Sequence, residues 1–155
     1  MDLDYFLSRE PKIKGIISSF RQHLHFEPIY RHKFNFYGQQ WNSIQEAYDA
    51  LEEPDMDEHK KLNLMGQIIY FCFKQNDAAA AELISTQDYW IENRVANHDN
   101  FWHNCKCKDC FCEAGNNYYG RLLMEVRDRF IWEKKPKKIN KKRWNIKYFD
   151  KQVLY

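Results

Sequence analysis

No apolar run in this chain approaches the ~18 residues that a membrane-crossing helix needs. The opening stretch MDLDYFLSREPKIK mixes charges and lacks the basic-then-apolar order of a signal peptide. There is no internal repeat and no low-complexity linker. These absences argue against an integral membrane or secreted protein and lead us to expect a soluble cytoplasmic one. In that compartment cysteines are expected as thiols or metal ligands, not disulfides. What is present is a chain of 155 residues, 44% hydrophobic and 17% aromatic, enough for one domain with a real core and too apolar for disorder.

The formal net charge of +2 conceals an asymmetry. From Lys134 onward nine Lys/Arg face a single acid, Asp150, whereas the preceding residues hold 15 basic and 21 acidic side chains. The expected organisation is therefore a domain over residues 1–133 carrying a basic C-terminal segment, 134–155. Such a segment is either a solubilising tail or a contact for nucleic acid or another polyanion. Its interleaved Trp144, Tyr148 and Phe149 suit packing on the domain or stacking on bases.

Along the chain, FNFYGQQW (34–41) reads as a hairpin edge turning at Gly38. In NSIQEAYDALEE (42–53), Ile44, Ala47, Tyr48 and Leu51 fall at helical spacing, Ser43 and Glu46 form a capping box, and Pro54 stops the helix. A longer helix is expected from about Asp57 to Gln75, burying Leu62, Met65, Ile69, Cys72 and Phe73. A third helix should follow in NDAAAAELIS (76–85), and residues 93–116 read as loop. YYGRLLMEVRDRFIW (118–132) is amphipathic, with Leu122, Leu123, Val126 and Phe130 inward. The fold class is α+β, predominantly α-helical, with a small strand or hairpin element.

Two stretches carry most of the functional information. GNNYYGRLLMEVR (115–127) places Asn117 and Gly120 where a loop becomes a helix, so free N–H groups and the helix dipole there would suit a phosphate or ribose oxygen. The alternative is structural: glycine for close packing and asparagine as a helix cap. Upstream lies DNFW (99–102). Together they resemble the G-x-N-x-x-G-x-L-L-M-E-[LV]-R and D-x-[FY]-W motifs of the NADAR family, and GQQWNSIQEAYDA (38–50) resembles that family's G-x-x-[WY]-P-[ST]-x-E-H-x-[FY]-Q-A segment. Met65, Phe73, Gln75, Leu83, Thr86 and Glu92 fall where the family's helical middle has comparable residues. The resemblance spans about residues 26 to 130.

This resemblance implies an N-glycosidase that hydrolyses the bond between a base or amine and an ADP-ribose or ribose-phosphate group, with no cofactor required for catalysis. It also implies a ligand site drawn from Trp41, Trp102, Asn117, Gly120 and Arg127. Arg127 is open between a ligand phosphate and a structural carboxylate.

The chain departs from the family at the position that matters most. Aligned from Trp41, the family's catalytic glutamate falls on Gln45 and its following histidine on Glu46. A carboxylate can stabilise an oxocarbenium-like centre or activate water, whereas an amide does neither well. Three readings stay open: Glu46 takes over, although it lies about 100° around the helix; the chain binds such a ligand without hydrolysing it; or Gln45 replaces a natural glutamate by engineering. Asp99 is the other carboxylate expected near the sugar. Further departures are His103, where the family has glycine after the tryptophan, and Glu52 and Glu53, where lysine is common. The N-terminal element of the family has its best counterpart in ISSFRQHLHFEPI (17–29), around Phe26 and Pro28.

Between the two motifs, CKCKDCFC (105–112) packs four cysteines into eight positions. Zinc sites usually draw on two separated pairs. Three of Cys105, Cys107, Cys110 and Cys112 with His98 or His103 would still complete a tetrahedron, giving a structural zinc that fixes a loop over the ligand. The alternative is a loop of reduced thiols. Cys72 is expected in the core, and no histidine–acid pair argues for a nucleophilic cysteine.

Overall fold

The computed structural model describes residues 14–110 and 115–134. Cys112 and the basic segment after Lys134 therefore lie outside the described residues. The elements run β1 (Ile16–Ile17), a 3-10 turn (Leu24–Phe26), β2 (Phe34–Phe36), β3 (Gln39–Trp41), α1 (Ile44–Leu51), α2 (Glu58–Lys74), α3 (Asp77–Ser85), β4 (Trp90–Ile91), β5 (Arg94–Val95), β6 (Asn104–Cys105) and α4 (Tyr118–Lys134). The domain is α+β and mainly helical, as expected. None of its described helices is long and apolar enough to cross a membrane.

Local chemistry explains most of these boundaries. Tyr37 and Gly38 both hold positive φ, 53° and 67°, the signature of the tight turn whose twist matches a hairpin, and β2 pairs antiparallel with β3 across it. The Ser43 hydroxyl accepts the Glu46 amide at 3.1 Å while the Glu46 carboxylate accepts the Asn42 amide at 2.6 Å. Asp57 caps α2 by accepting from the Lys60 amide at 2.8 Å. α1 ends at Leu51, with Glu52 already extended, ahead of Pro54.

Helix α2 is the centre of the fold. It buries Leu62, Leu64, Met65, Ile68, Ile69, Cys72 and Phe73, and packs against α1, α3, α4 and β2. Phe20, Phe26, Phe34 and Phe36 fill the space between it and the N-terminal segment. Burying five or six such side chains, at ~1.5–3 kcal/mol each, is the main driving force of the body.

The stretch 93–116, expected as loop, contains β5 and β6, which pair parallel, Arg94 with Asn104 and Val95 with Cys105. A second parallel pair joins β1 to β4. Strands of two residues show no alternation along the chain, so periodicity does not reveal them.

A histidine cluster sits beside the core. His32 is buried, its Nε2 2.9 Å from His25 Nδ1, its ring edge-on to Phe73 and tilted against Tyr30. Burial, helped by the proximity of His25, pushes its pKa down to about 4. Between pH 6.5 and 4 the unfolded chain therefore binds a proton at His32 that the folded chain does not, so stability falls as pH falls through that window. Denaturant titrations should show about 2 kcal/mol lost between pH 7 and pH 5, and His32→Gln should remove that slope. An unchanged slope in the variant would assign the acid sensitivity to other groups.

Candidate functional site

The D-x-F-W turn is built by Asp99. Its carboxylate Oδ1 accepts the amides of Phe101 and Trp102 at 3.1 and 2.9 Å, an Asx-type turn that aims four carbonyls in one direction. The carbonyls of Asn100, Phe101, Trp102 and His103 then accept from Asn116, Tyr118, Tyr119 and Asn117 at 2.8, 3.3, 2.9 and 3.2 Å. The turn thus caps the start of α4. Asn117 sits at that junction in the left-handed region, φ 52°. It is buried, and its amide donates to the Ile91 carbonyl at 2.9 Å and accepts from the Asn93 amide at 3.4 Å. A Cβ on Gly120 would lie 2.2 Å from the Ile91 carbonyl oxygen, so only glycine allows α4 to approach β4 here.

In this geometry several of the expected site residues have partners within the fold. The N–H groups of Asn117, Tyr118 and Tyr119, expected to receive a phosphate, are already occupied by backbone carbonyls. Asn117 and Gly120 join α4 to β4; their polar and steric capacity is spent inside the fold. Arg127, 2% exposed, donates to the Thr86 hydroxyl and Tyr89 carbonyl at 3.1 and 2.7 Å and lies 3.6 Å from Asp128. It is a core cation tying α4 to the end of α3. Trp41 is buried with its indole N–H on the Phe36 carbonyl at 3.0 Å, closing the hairpin. Glu46 is exposed and engaged in the helix cap. Asp99 is committed to its turn.

The remaining expected residues, Trp102 and Gln45, each engage α1 or its neighbours. Trp102 is half-buried and meets Tyr48 of α1 edge-to-face, ring centres 5.3 Å apart. The Tyr119 hydroxyl donates to the Phe26 carbonyl at 2.6 Å, and the Gln45 amide donates to the Pro28 carbonyl at 2.8 Å. The segment Phe26–Pro28 therefore bridges the start of α1 and the start of α4. Gln45 itself is half-buried, its side-chain amide donating to Asp49 at 2.7 Å.

Two groups at this junction are not read there from the sequence: Glu27 goes unnamed, and His103 is weighed as a zinc ligand. Glu27 lies between the two bridging carbonyls. It is half-buried, its carboxylate has no hydrogen-bond or ion partner among the described residues, and its pKa is raised by burial; the Tyr119 phenol, raised mainly by its own burial, is raised further by Cys72 and Glu27. His103 is buried against the Tyr119 ring at 5.7 Å with no partner for Nδ1. Burial lowers its pKa, opposed in part by Asp99, so it is neutral near pH 7. The available signals were weak: Glu27 adjoins the Phe26 and Pro28 already singled out, and His103 replaces a family glycine.

Lys61 provides a cation beside this junction. Its ammonium lies 6.0 Å from the centre of the Phe101 ring and 3.3 Å from Glu52, which also accepts from the Tyr48 hydroxyl at 3.1 Å. A separate recess of about 520 Å³, lined by Asn35, Gly38, Phe71, Lys74 and Gln75, includes none of these residues.

The cysteine loop forms its own cluster. His98, Cys105, Cys107 and Cys110 each offer a ligand atom, all within 4.8 Å of one another, so these residues have the composition and spacing of a metal centre. His103 stands apart from it, against Tyr119. Cys72 is buried in α2, its thiol pKa pushed far up by its apolar surroundings, as expected for a core cysteine.

The chain has the fold of the E. coli protein YbiA, whose NMR structure matches it with a TM-score of 0.61 at 18% identity, over 81% of this chain and 89% of that one. YbiA is a NADAR-family protein, so the fold is the one the sequence motifs resemble. No family model and no curated protein matches the chain.

Two substitutions test whether the GNNYYG motif is structural. Asn117→Ala strands the Ile91 carbonyl and the Asn93 amide and should destabilise by about 3 kcal/mol. Gly120→Ala forces a methyl into a backbone carbonyl and should cost about 3 kcal/mol or more. Both are read by chemical denaturation; Asn117→Ala at wild-type stability would return that residue to ligand binding.

Proposed function

We propose that this protein hydrolyses the N-glycosidic bond of an ADP-ribose or ribose-phosphate conjugate, at the junction of α1, the Phe26–Pro28 segment and the D-x-F-W turn. One observation carries the reading: Glu27, a half-buried carboxylate unpaired among the described residues, lies in the segment that bonds both α1 and Tyr119 of α4, in a chain with the fold of YbiA. A carboxylate is the group that Gln45 no longer supplies.

In the proposed reaction the bond between ribose C1 and the base nitrogen breaks, and its electron pair leaves with the base, which takes up a proton. The Glu27 carboxylate stabilises the positive charge growing at C1 and accepts a proton from the water that adds there. Partial burial strengthens that interaction and makes Glu27 a better base. Trp102 offers aromatic surface for the base, the Gln45 amide suits a ribose hydroxyl, and Lys61 suits a phosphate. Water is the only co-substrate. ADP-ribosylated guanine in nucleic acid is the preferred substrate, because a basic segment such as 134–155 would add affinity for a polyanion.

A second reading has one observation in its favour. Gln45 is held by Asp49 at the position of the family's glutamate, which suits a protein that binds the same ligand without cutting it.

Incubation with ADP-ribosylated guanosine or DNA, and with riboflavin-pathway intermediates, should release free base or ADP-ribose. Glu27→Gln should lower kcat/KM by about 10²- to 10⁴-fold with an unchanged circular-dichroism spectrum, and Gln45→Glu should raise it. Full activity in Glu27→Gln would remove Glu27 from the mechanism. Tight calorimetric binding of ADP-ribose without turnover, in both the native chain and Gln45→Glu, would select the binding role. Deleting 134–155 should weaken DNA affinity and flatten its salt dependence.

A further inference from the structure

We infer that His98, Cys105, Cys107 and Cys110 hold one zinc ion that locks the D-x-F-W turn in place. The distances suit tetrahedral coordination. Zinc bound to sulfur at about 2.3 Å and to imidazole nitrogen at about 2.0–2.1 Å sets S···N separations of about 3.6 Å and S···S separations of about 3.8 Å. His98 Nδ1 lies 3.3 Å from Cys107 Sγ and 3.4 Å from Cys110 Sγ, and all four ligand atoms lie within 4.8 Å of one another. Soft thiolates with one imidazole favour zinc over magnesium or calcium.

The surroundings fit thiolate ligands. The backbone amides of His98 and Cys107 donate to Cys105 Sγ at 3.2 and 3.5 Å, contacts that favour the charged sulfur and orient it toward an ion. Four protein ligands leave no open position, so the ion is structural and takes no part in hydrolysis.

The consequence for the fold follows from what the ligands are attached to. Cys105 closes β6, directly after the D-x-F-W turn, and its amide donates to the Asn100 side chain at 2.9 Å. His98 immediately precedes Asp99. Ligands therefore bracket the turn on both sides, and one ion fixes its entry and its exit.

Elemental analysis of the full chain purified without added metal should give about one zinc per molecule. Cys107→Ser should lose the zinc, His98→Ala should weaken it by about 100-fold or more against a competing chelator, and His103→Ala and Cys112→Ser should retain it. Cobalt(II) in place of zinc should give the thiolate charge-transfer bands of a tetrahedral site. A native chain that neither contains zinc nor takes up added zinc or cobalt overturns the inference, and so does loss of metal in Cys112→Ser or His103→Ala with retention in His98→Ala. These readouts do not depend on turnover, so they stand whatever the substrate. Stripping the zinc should speed amide hydrogen exchange across 96–110 while α2 stays protected; unchanged exchange would remove the turn-locking role.

Discussion

The seating of the D-x-F-W turn on the start of α4 governs the rest of this molecule. A helix begins with backbone N–H groups that no helical carbonyl can reach. In many proteins water, a capping side chain or an anion takes them; here the carbonyls of Phe101, Trp102 and His103 do. The same contact orients Trp102 toward α1 and His103 toward Tyr119, and leaves Tyr119 to reach the Phe26 carbonyl. A helix terminus that looks suited to phosphate in the sequence is thereby converted into a joint. The proposed phosphate contact therefore falls to a side chain, Lys61, whose ring partner Phe101 belongs to that turn.

In the proposed reaction the electrostatics of the junction turn on Gln45, an amide where the family that the motifs resemble has a carboxylate. An N-glycosidic cleavage develops positive charge at the sugar, and some anion must face it. Asp99 and Glu46 are carboxylates, yet each is already held by backbone amides in a turn or a cap. Neutralising either would dismantle the local structure before it changed any chemistry. Glu27 has no such obligation. Its raised pKa, set by burial, goes with a charge that the described residues leave uncompensated, and in the proposed reaction a cationic centre would supply that compensation.

Much of this was legible in the sequence wherever the determining interaction is local. Gly38 fixes the hairpin, Ser43 with Glu46 fixes the start of α1, and Asp57 fixes α2, all through contacts within a few residues. Legibility fails where a partner is far along the chain. Arg127 stays open in the sequence between a ligand phosphate and a structural carboxylate, and its bonds to Thr86 and Tyr89, distant in sequence, show the fold engaging it. Asn117 was read as a binding residue on motif position, and its side chain instead faces Ile91 and Asn93. Glu27 carries no periodic signal, since its meaning depends on bonds that its neighbours make to Tyr119 and Gln45.

The long irregular stretch between β4 and α4 raises a thermodynamic question that hydrogen bonds alone do not answer. Ordering each of its residues costs about 1–2 kcal/mol of backbone entropy. Against this it offers little apolar burial: Phe101 and Trp102 are only partly covered, and β5 and β6 are two residues long. Each backbone hydrogen bond to α4 adds a net ~1 kcal/mol. Compact domains elsewhere meet such a deficit with a cross-link, which lowers the entropy of the unfolded chain, or with a metal whose binding energy is folding energy. The thiols here are not paired as disulfides among the described residues, and their convergence with His98 matches the second device, the one proposed above. On the zinc proposal, the cysteines and the D-x-F-W motif are not separate features of the sequence: the first would hold the second in an otherwise unsupported turn.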